Sequence, residues 1–139
     1  MNNTTPNRTG RHVVFNLHAH LVFAEKYRKN IFSKNMIDCL KGIFSKVCDD
    51  MEAVLVECNG EKDHIHLLVN YPPKLSLSKL VNSLKGVSSR ILRKEFKSEI
   101  EKFLYNGVLW SPSYFVSSCG GAPISIVKKY IDEQESPAS

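Results

Sequence analysis

From Val13 to Phe23 every odd position is apolar (Val13, Phe15, Leu17, Ala19, Leu21, Phe23), while Asn16, His18 and His20 fall on even positions. A period of two is that of a half-buried strand, so one strand is predicted over this stretch. From Lys34 to Met51 the spacing changes. Ile37, Leu40, Ile43, Phe44, Val47, Cys48 and Met51 recur at three and four, which predicts an amphipathic helix. Ala53–Cys58 is a second strand, and Asn59-Gly60 offers turn chemistry for a hairpin into a third strand over Asp63–Tyr71. Pro72-Pro73 breaks the chain. Leu77, Leu80, Val81, Leu84, Val87, Ile91 and Leu92 then mark a second helix with Ser76 as its N-cap. Ser113–Cys119 predicts a fourth strand, and a short helix starts near Pro123.

The order strand–helix–strand–strand–helix–strand predicts an α+β fold of the ferredoxin-like, split βαβ kind. Its antiparallel sheet carries the helices on one face and leaves the other open, and a further helix ends the chain. Residues 1–11 are expected to be a flexible arm, residues 12–135 a single domain and residues 136–139 a tail. At 139 residues the chain has room for one core and no second domain.

In the third strand Ile65, Leu67, Val69 and Tyr71 share the covered face, so His64 and His66 project together onto the open one. The first and third strands are central neighbours in this plan, which puts His18 and His20 on that same face at a height set by register. An ordinary polar outer face favours Thr, Lys or Glu. Two imidazoles at i and i+2 on a strand can turn both rings toward one divalent ion, although such pairs also arise by chance. For His18-Ala19-His20 the plainer reading, a chance pair, is kept, with His20 as a neighbour supporting the ligands. In the last helix Tyr130 and Gln134 stand one turn apart on one face, beside a docking stripe of Ile124, Val127 and Ile131. Gly120-Gly121, just before that helix, is either a hinge or a plain loop.

Charge adds a partner class. Nineteen Lys and Arg against fourteen Asp and Glu give +5, concentrated in residues 1–34 and 74–97, a distribution that suits either a polyanionic partner or solubility alone. Arg11, Lys26, Arg28, Lys85, Arg90, Arg93 and Lys94 are the candidate DNA-binding cations. Tyr27, Trp110 and Tyr114 are each either a stacking platform for unpaired bases or a core residue. The four cysteines are scattered, without a C-x-x-C pair, and read as reduced packing thiols. No stretch reaches the roughly 20 apolar residues of a membrane span and the first residues are polar, so a cytoplasmic protein without a membrane role is expected.

Asp63-His64-Ile65-His66 followed by Tyr130-Ile131-x-x-Gln134 resembles the single-tyrosine HUH transposases of the small single-strand bacterial insertion sequences. His20-Leu-Val-Phe23, Lys26-Tyr-Arg28, Leu84-Lys-Gly-Val-Ser-Ser-Arg90 and Trp110-Ser-Pro-Ser-Tyr114 extend the likeness from about His20 to Gln134. The resemblance implies a homodimer with shared active sites and a divalent metal, Mg²⁺ or Mn²⁺, on His64 and His66. It also implies Gln134 as a third ligand, Tyr130 as the nucleophile, and a substrate of single-stranded DNA bearing hairpins. His20 and Asp63 are candidates to support the ligands, although Asp63 faces away from its histidine neighbours if the strand is regular. The chemistry is coherent: attack by a tyrosine hydroxyl conserves the phosphodiester as a 5′-phosphotyrosine that a later 3′-hydroxyl reverses, so no ATP is needed. Three other functions share the pattern. One is a domesticated relative acting on repetitive palindromes. The others are a non-enzymatic RNA-binding module, which calls for outward aromatics where histidines stand here, and a small hydrolytic metalloenzyme, for which Glu57 and Asp63 are the nearest carboxylates.

Overall fold

A computed structural model of the chain describes residues 7–104 and 107–118. The elements are β1 (Arg8–Gly10), β2 (Val13–Phe15), β3 (His18–Ala24), α1 (Lys34–Asp50), β4 (Val54–Gly60), β5 (His64–Asn70), α2 (Leu77–Glu95), α3 (Lys97–Ile100) and β6 (Phe115–Ser118). The four longer strands form one sheet in the order β4-β5-β3-β6, with every pairing antiparallel. This is the ferredoxin-like order, with β3 and β5 at the centre. The helix expected near Pro123, with Gly120, Gly121, Tyr130 and Gln134, lies outside the described residues, as do Cys119 and the tail.

Ser33 caps α1 by accepting from the Met36 amide, and Ser76 caps α2 by accepting from the Lys79 amide. Both serines satisfy donors that a helix's first turn leaves without partners. The apolar stripes of the two helices converge on the odd-parity residues of the sheet. Leu21, Phe23, Ile65, Leu67 and Val69 pack with Leu40, Phe44, Leu80 and Leu84 in one core. Trp110 closes it, edge-on to Phe23 and tilted against Phe32 and Phe44, with its indole N–H donated to Ser88 Oγ at 2.9 Å. A buried indole needs that partner, and the contact settles Trp110 as a core residue. Burial pushes the Cys48 and Cys58 thiols up to about 12, so both are packing groups. No helix of the described residues is long and apolar enough to cross a membrane.

Three expectations need correction. The single strand predicted over 13–23 is two, interrupted at Asn16-Leu17, and β2 pairs with β1 rather than with the sheet. Part of the expected flexible arm is therefore strand, and Arg8 ties it down by donating to Asn70 Oδ1 and to the Glu52 carbonyl. Asn59-Gly60 is not the hairpin turn. Both residues belong to β4, opposite His66 and Ile65, and the chain reverses over Glu61-Lys62-Asp63. Gly60 serves packing instead, because a Cβ there would stand 2.6 Å from Ile65 Cδ1 and 3.0 Å from Ile37 Cγ2. Finally, the second face of the sheet is not bare. Val22, Leu68, His18, His20 and His66 on that face are all buried, and across the ladder His20 stands opposite Leu68 and His66 opposite Val22.

Candidate metal and DNA site

Register decides which histidines meet. His18 stands opposite Asn70 and His20 opposite Leu68, whereas His66 faces Val22 and His64 faces Ala24. The two pairs are thus staggered along the strands. His64 and His66 have ring centres 6.2 Å apart, and His20 stacks on His66 at 5.6 Å, giving a continuous row of three imidazoles. His18 is displaced to the far end, where its Nε2 lies 3.4 Å from Asn70 Nδ2. Burial lowers its pKa because a charged imidazole loses hydration there.

Asp63 precedes the first residue of β5, so strand alternation does not govern it. Instead of facing away, its Oδ1 lies 2.9 Å from His64 Nδ1, while its Oδ2 receives Arg28 Nε at 2.8 Å and an Arg28 terminal nitrogen at 2.7 Å. Burial alone would raise the Asp63 pKa. Hydrogen bonds from His64 and Arg28, with the Arg28 charge, outweigh it and hold the carboxyl below its ordinary value. An ionised Asp63 only accepts, so His64 donates from Nδ1 and its Nε2 is the nitrogen with a lone pair.

The donor set suits a divalent ion: two imidazoles two residues apart on a central strand, one oriented through its far nitrogen by a carboxylate. Among the described residues no group of three or more His, Cys, Asp or Glu is arranged to hold a metal. His20 and Asp63 both touch the pair, His20 by stacking on His66 and Asp63 by its hydrogen bond with His64.

The candidate DNA cations divide. Arg11 lies exposed beside the β1–β2 turn, and Arg90 and Lys94 are exposed on α2. Lys26 sits over the Tyr27 ring at 5.8 Å. Three others are engaged within the protein: Arg28 with Asp63, Arg93 with the Ser89 and Gly107 carbonyls, and Lys85 with the carbonyls of Ser111, Pro112 and Ser113. Lys85 also lies over the Phe23 and Tyr114 rings, and burial lowers its pKa. A positive charge in a sequence does not reveal whether its partner is a phosphate or a carbonyl of the same chain.

Sequence reasoning passed over one residue beside the site. Glu25 is fully buried at a position whose odd parity in the β3 run calls for an apolar side chain. Its carboxylate accepts the Tyr27 amide at 3.0 Å and the Lys29 amide at 2.5 Å, and its own amide donates to the Asp63 carbonyl at 2.8 Å. The signal was present: a charge at an inward position.

A family model described as "Transposase IS200 like" matches residues 13–134. The chain is 35% identical over 124 residues to the transposase for insertion sequence element IS200 of Salmonella typhimurium, spanning 88% of this chain and 80% of that one. It is 30% identical over 127 residues to the ISDra2 transposase TnpA of Deinococcus radiodurans, spanning 91% and 90%. A crystal structure of a chain described as a transposase from Deinococcus radiodurans superposes with a TM-score of 0.75 at 29% identity, over 94% of this chain and 99% of that one. The structure of a REP-associated tyrosine transposase bound to a REP hairpin has the same fold, with a TM-score of 0.54 at 14% identity over 90% and 68%. On the strength of a match running through nearly all its length, this chain belongs to the IS200-like transposase family.

Proposed function

We propose that this transposase cleaves and rejoins single-stranded DNA at the ends of an insertion sequence, with hairpins marking the substrate and Tyr130 as the nucleophile. The observation that carries the reading is the His64–His66 pair, with His64 oriented through Asp63, in a chain of this family. The Tyr130 hydroxyl attacks the scissile phosphorus, loses its proton, and displaces the 3′-hydroxyl of the upstream strand. One P–O bond forms as one breaks, and the 5′-phosphate stays on the tyrosine until another 3′-hydroxyl reverses the exchange. A divalent ion, Mg²⁺ or Mn²⁺, held by His64, His66 and Gln134 would polarise the phosphate. His64 and His66 stand two residues apart on β5, so an ion held by both would orient the phosphate relative to the sheet. In this reading two copies would share their sites as a homodimer, each supplying Tyr130 and Gln134 to the other's histidine pair, with Gly120-Gly121 as the hinge proposed for that exchange. The same fold has been solved on a REP hairpin, so it is compatible with hairpin DNA.

The test is a labelled hairpin oligonucleotide taken from beside the gene and incubated with Mn²⁺ or Mg²⁺. A covalent protein–5′-phosphate adduct forms with the wild type and vanishes in Tyr130→Phe. No adduct on any flanking hairpin, with folded protein and metal present, rejects the reading.

A further inference from the structure

His64 is the first residue of β5. On its β3 side its partner, Ala24, is the last residue of that strand, and on the other side the β4 ladder stops at the Gly60–Ile65 pair. The backbone there is held, with the His64 carbonyl accepting the Glu61 amide at 2.8 Å, but a side chain at the end of a ladder has strand neighbours on one side only and is not oriented by the sheet alone. What surrounds it is a turn held unusually firmly. Residues 25–32 leave β3 and return to α1, and the turn is tied to the β4–β5 connection by Glu25 N–H to the Asp63 carbonyl at 2.8 Å and Phe32 N–H to the Lys62 carbonyl at 2.9 Å. Within it the buried Glu25 carboxylate accepts two backbone amides, and Arg28 and Asn30 both adopt left-handed backbone, with φ of 54° and 55°. Asparagine takes that conformation readily, but a long side chain such as Arg28 does so only where its surroundings favour it. Here it brings the Arg28 guanidinium onto Asp63 Oδ2 and leaves Oδ1 to His64.

We infer that Glu25 and Arg28 are positioning residues for His64: Glu25 shapes the turn, Arg28 clamps Asp63, and Asp63 fixes the His64 ring with Nδ1 protonated and Nε2 available. The inference rests on the reading of His64 as a metal ligand and extends it to two residues that touch neither metal nor DNA. Arg28 thereby loses the phosphate-binding role that its charge suggests. Carboxylates that orient a ligating histidine change metal affinity by about ten- to a hundredfold when removed, and the residue that holds such a carboxylate acts through the same contact.

Two readouts independent of catalysis test it. In the metal-free protein, long-range ¹H–¹⁵N correlation identifies the His64 tautomer as Nδ1–H in the wild type. Arg28→Met shifts it toward a mixture, and Arg28→Lys restores it in part, because a lysine keeps the charge without the two-donor grip. Mn²⁺ titration followed by electron paramagnetic resonance gives affinity directly. Arg28→Met weakens it about tenfold or more, Glu25→Gln weakens it less, and the double variant is no weaker than Arg28→Met. That non-additivity separates action through one contact from general destabilisation, whose effects add. Thermal melts select variants that remain folded at the titration temperature, and Glu25→Gln, which keeps shape and one acceptor, serves if Arg28→Met does not fold. If His64→Ala abolishes Mn²⁺ binding while Arg28→Met and Glu25→Gln keep wild-type affinity and tautomer, the positioning role is wrong and the metal site stands. If His64→Ala binds Mn²⁺ as the wild type does, the metal site itself is wrong and the inference goes with it.

Discussion

Lys85 separates two accounts of a basic residue in a DNA-handling protein. Its ammonium donates to Ser111 O at 2.7 Å, Ser113 O at 3.2 Å and Pro112 O at 3.4 Å, and lies 5.3 Å and 5.6 Å from the Tyr114 and Phe23 ring centres. It therefore tethers the segment leading into β6 to α2. Lys85→Met keeps most of the stem packing and removes the charge. A hydrogen bond from a charged donor is worth about 1.5–3 kcal/mol when sheltered, and only the Ser111 contact is partly buried, so the other two carbonyls recover water at little cost. The cation–π contacts add about 0.5–1 kcal/mol, and relief of the ammonium's desolvation offsets part of the total. A net loss of about 2 kcal/mol follows. With a urea slope of about 1–3 kcal/mol per molar, the midpoint falls by about 1 M.

The companion assay is hairpin-oligonucleotide binding across a salt series. A lysine that neutralises a phosphate contributes about 0.7 to the slope of log K against log salt on single-stranded DNA. Lys85→Met leaves that slope unchanged, whereas Arg90→Met or Lys94→Met, on the exposed side of α2, lowers it. A Lys85→Met protein with wild-type urea midpoint and a slope reduced by about 0.7 would refute the tether and return Lys85 to the DNA surface.

Gly60→Ala forces a methyl against Ile65 and Ile37 and destabilises by about 1–3 kcal/mol in urea melts, the usual cost of overpacking. A neutral result would mean that the strand end yields. Ser88→Ala leaves the Trp110 indole N–H without its acceptor and costs about 1–3 kcal/mol. Trp110 is the sole tryptophan, so its fluorescence follows the unfolding directly, and a wild-type midpoint would contradict the contact. For His18, whose folded pKa is lowered by burial, the unfolded chain takes up a proton first as pH falls through about 6.5. Its share of stability is complete above that value and is lost as pH drops toward the folded one. The stability difference between wild type and His18→Gln is therefore flat from pH 8 to 7 and narrows toward pH 5, and a difference independent of pH over that range excludes the effect.

The two long helices and the parity of the central strands were legible in the sequence because both are local patterns. Three or four residues fix a helical face, and two fix the side of a strand. Ile65, Leu67 and Val69 inward with His64 and His66 outward followed from that alone. What alternation cannot encode is the pairing partner. Val13–Phe15 keeps the period of His18–Ala24 and yet leaves the sheet to pair with Arg8–Gly10, since side and partner are independent properties. Asn59-Gly60 carried the composition of a turn, but the space beside Ile37 and Ile65 asked for a residue without a Cβ within a strand. The same limit applies to the cations, because the partners of Lys85 and Arg28 lie 26 to 35 residues away in sequence.

The site repeats this division between local and long-range order. His66 lies within β5 and is oriented by neighbours on both sides, Val22 and Asn59, with His20 stacked on its ring. Sequence parity was enough to place it. His64 stands where the ladder ends, so its orientation comes from contacts that parity does not specify: Asp63, then Arg28 and the turn closed by Glu25. Two adjacent imidazoles are thus held by unlike means, one by the sheet and one by a polar chain reaching 35 residues back. A sheet cannot relax around a ligand without breaking its ladder, whereas a polar clamp can shift by a hydrogen bond. On the proposed reading of the pair as metal ligands, adjustment to an ion would therefore fall on the His64 side, and Arg28, whose charge is spent there on Asp63, is the cation that a count of DNA-binding residues would misassign.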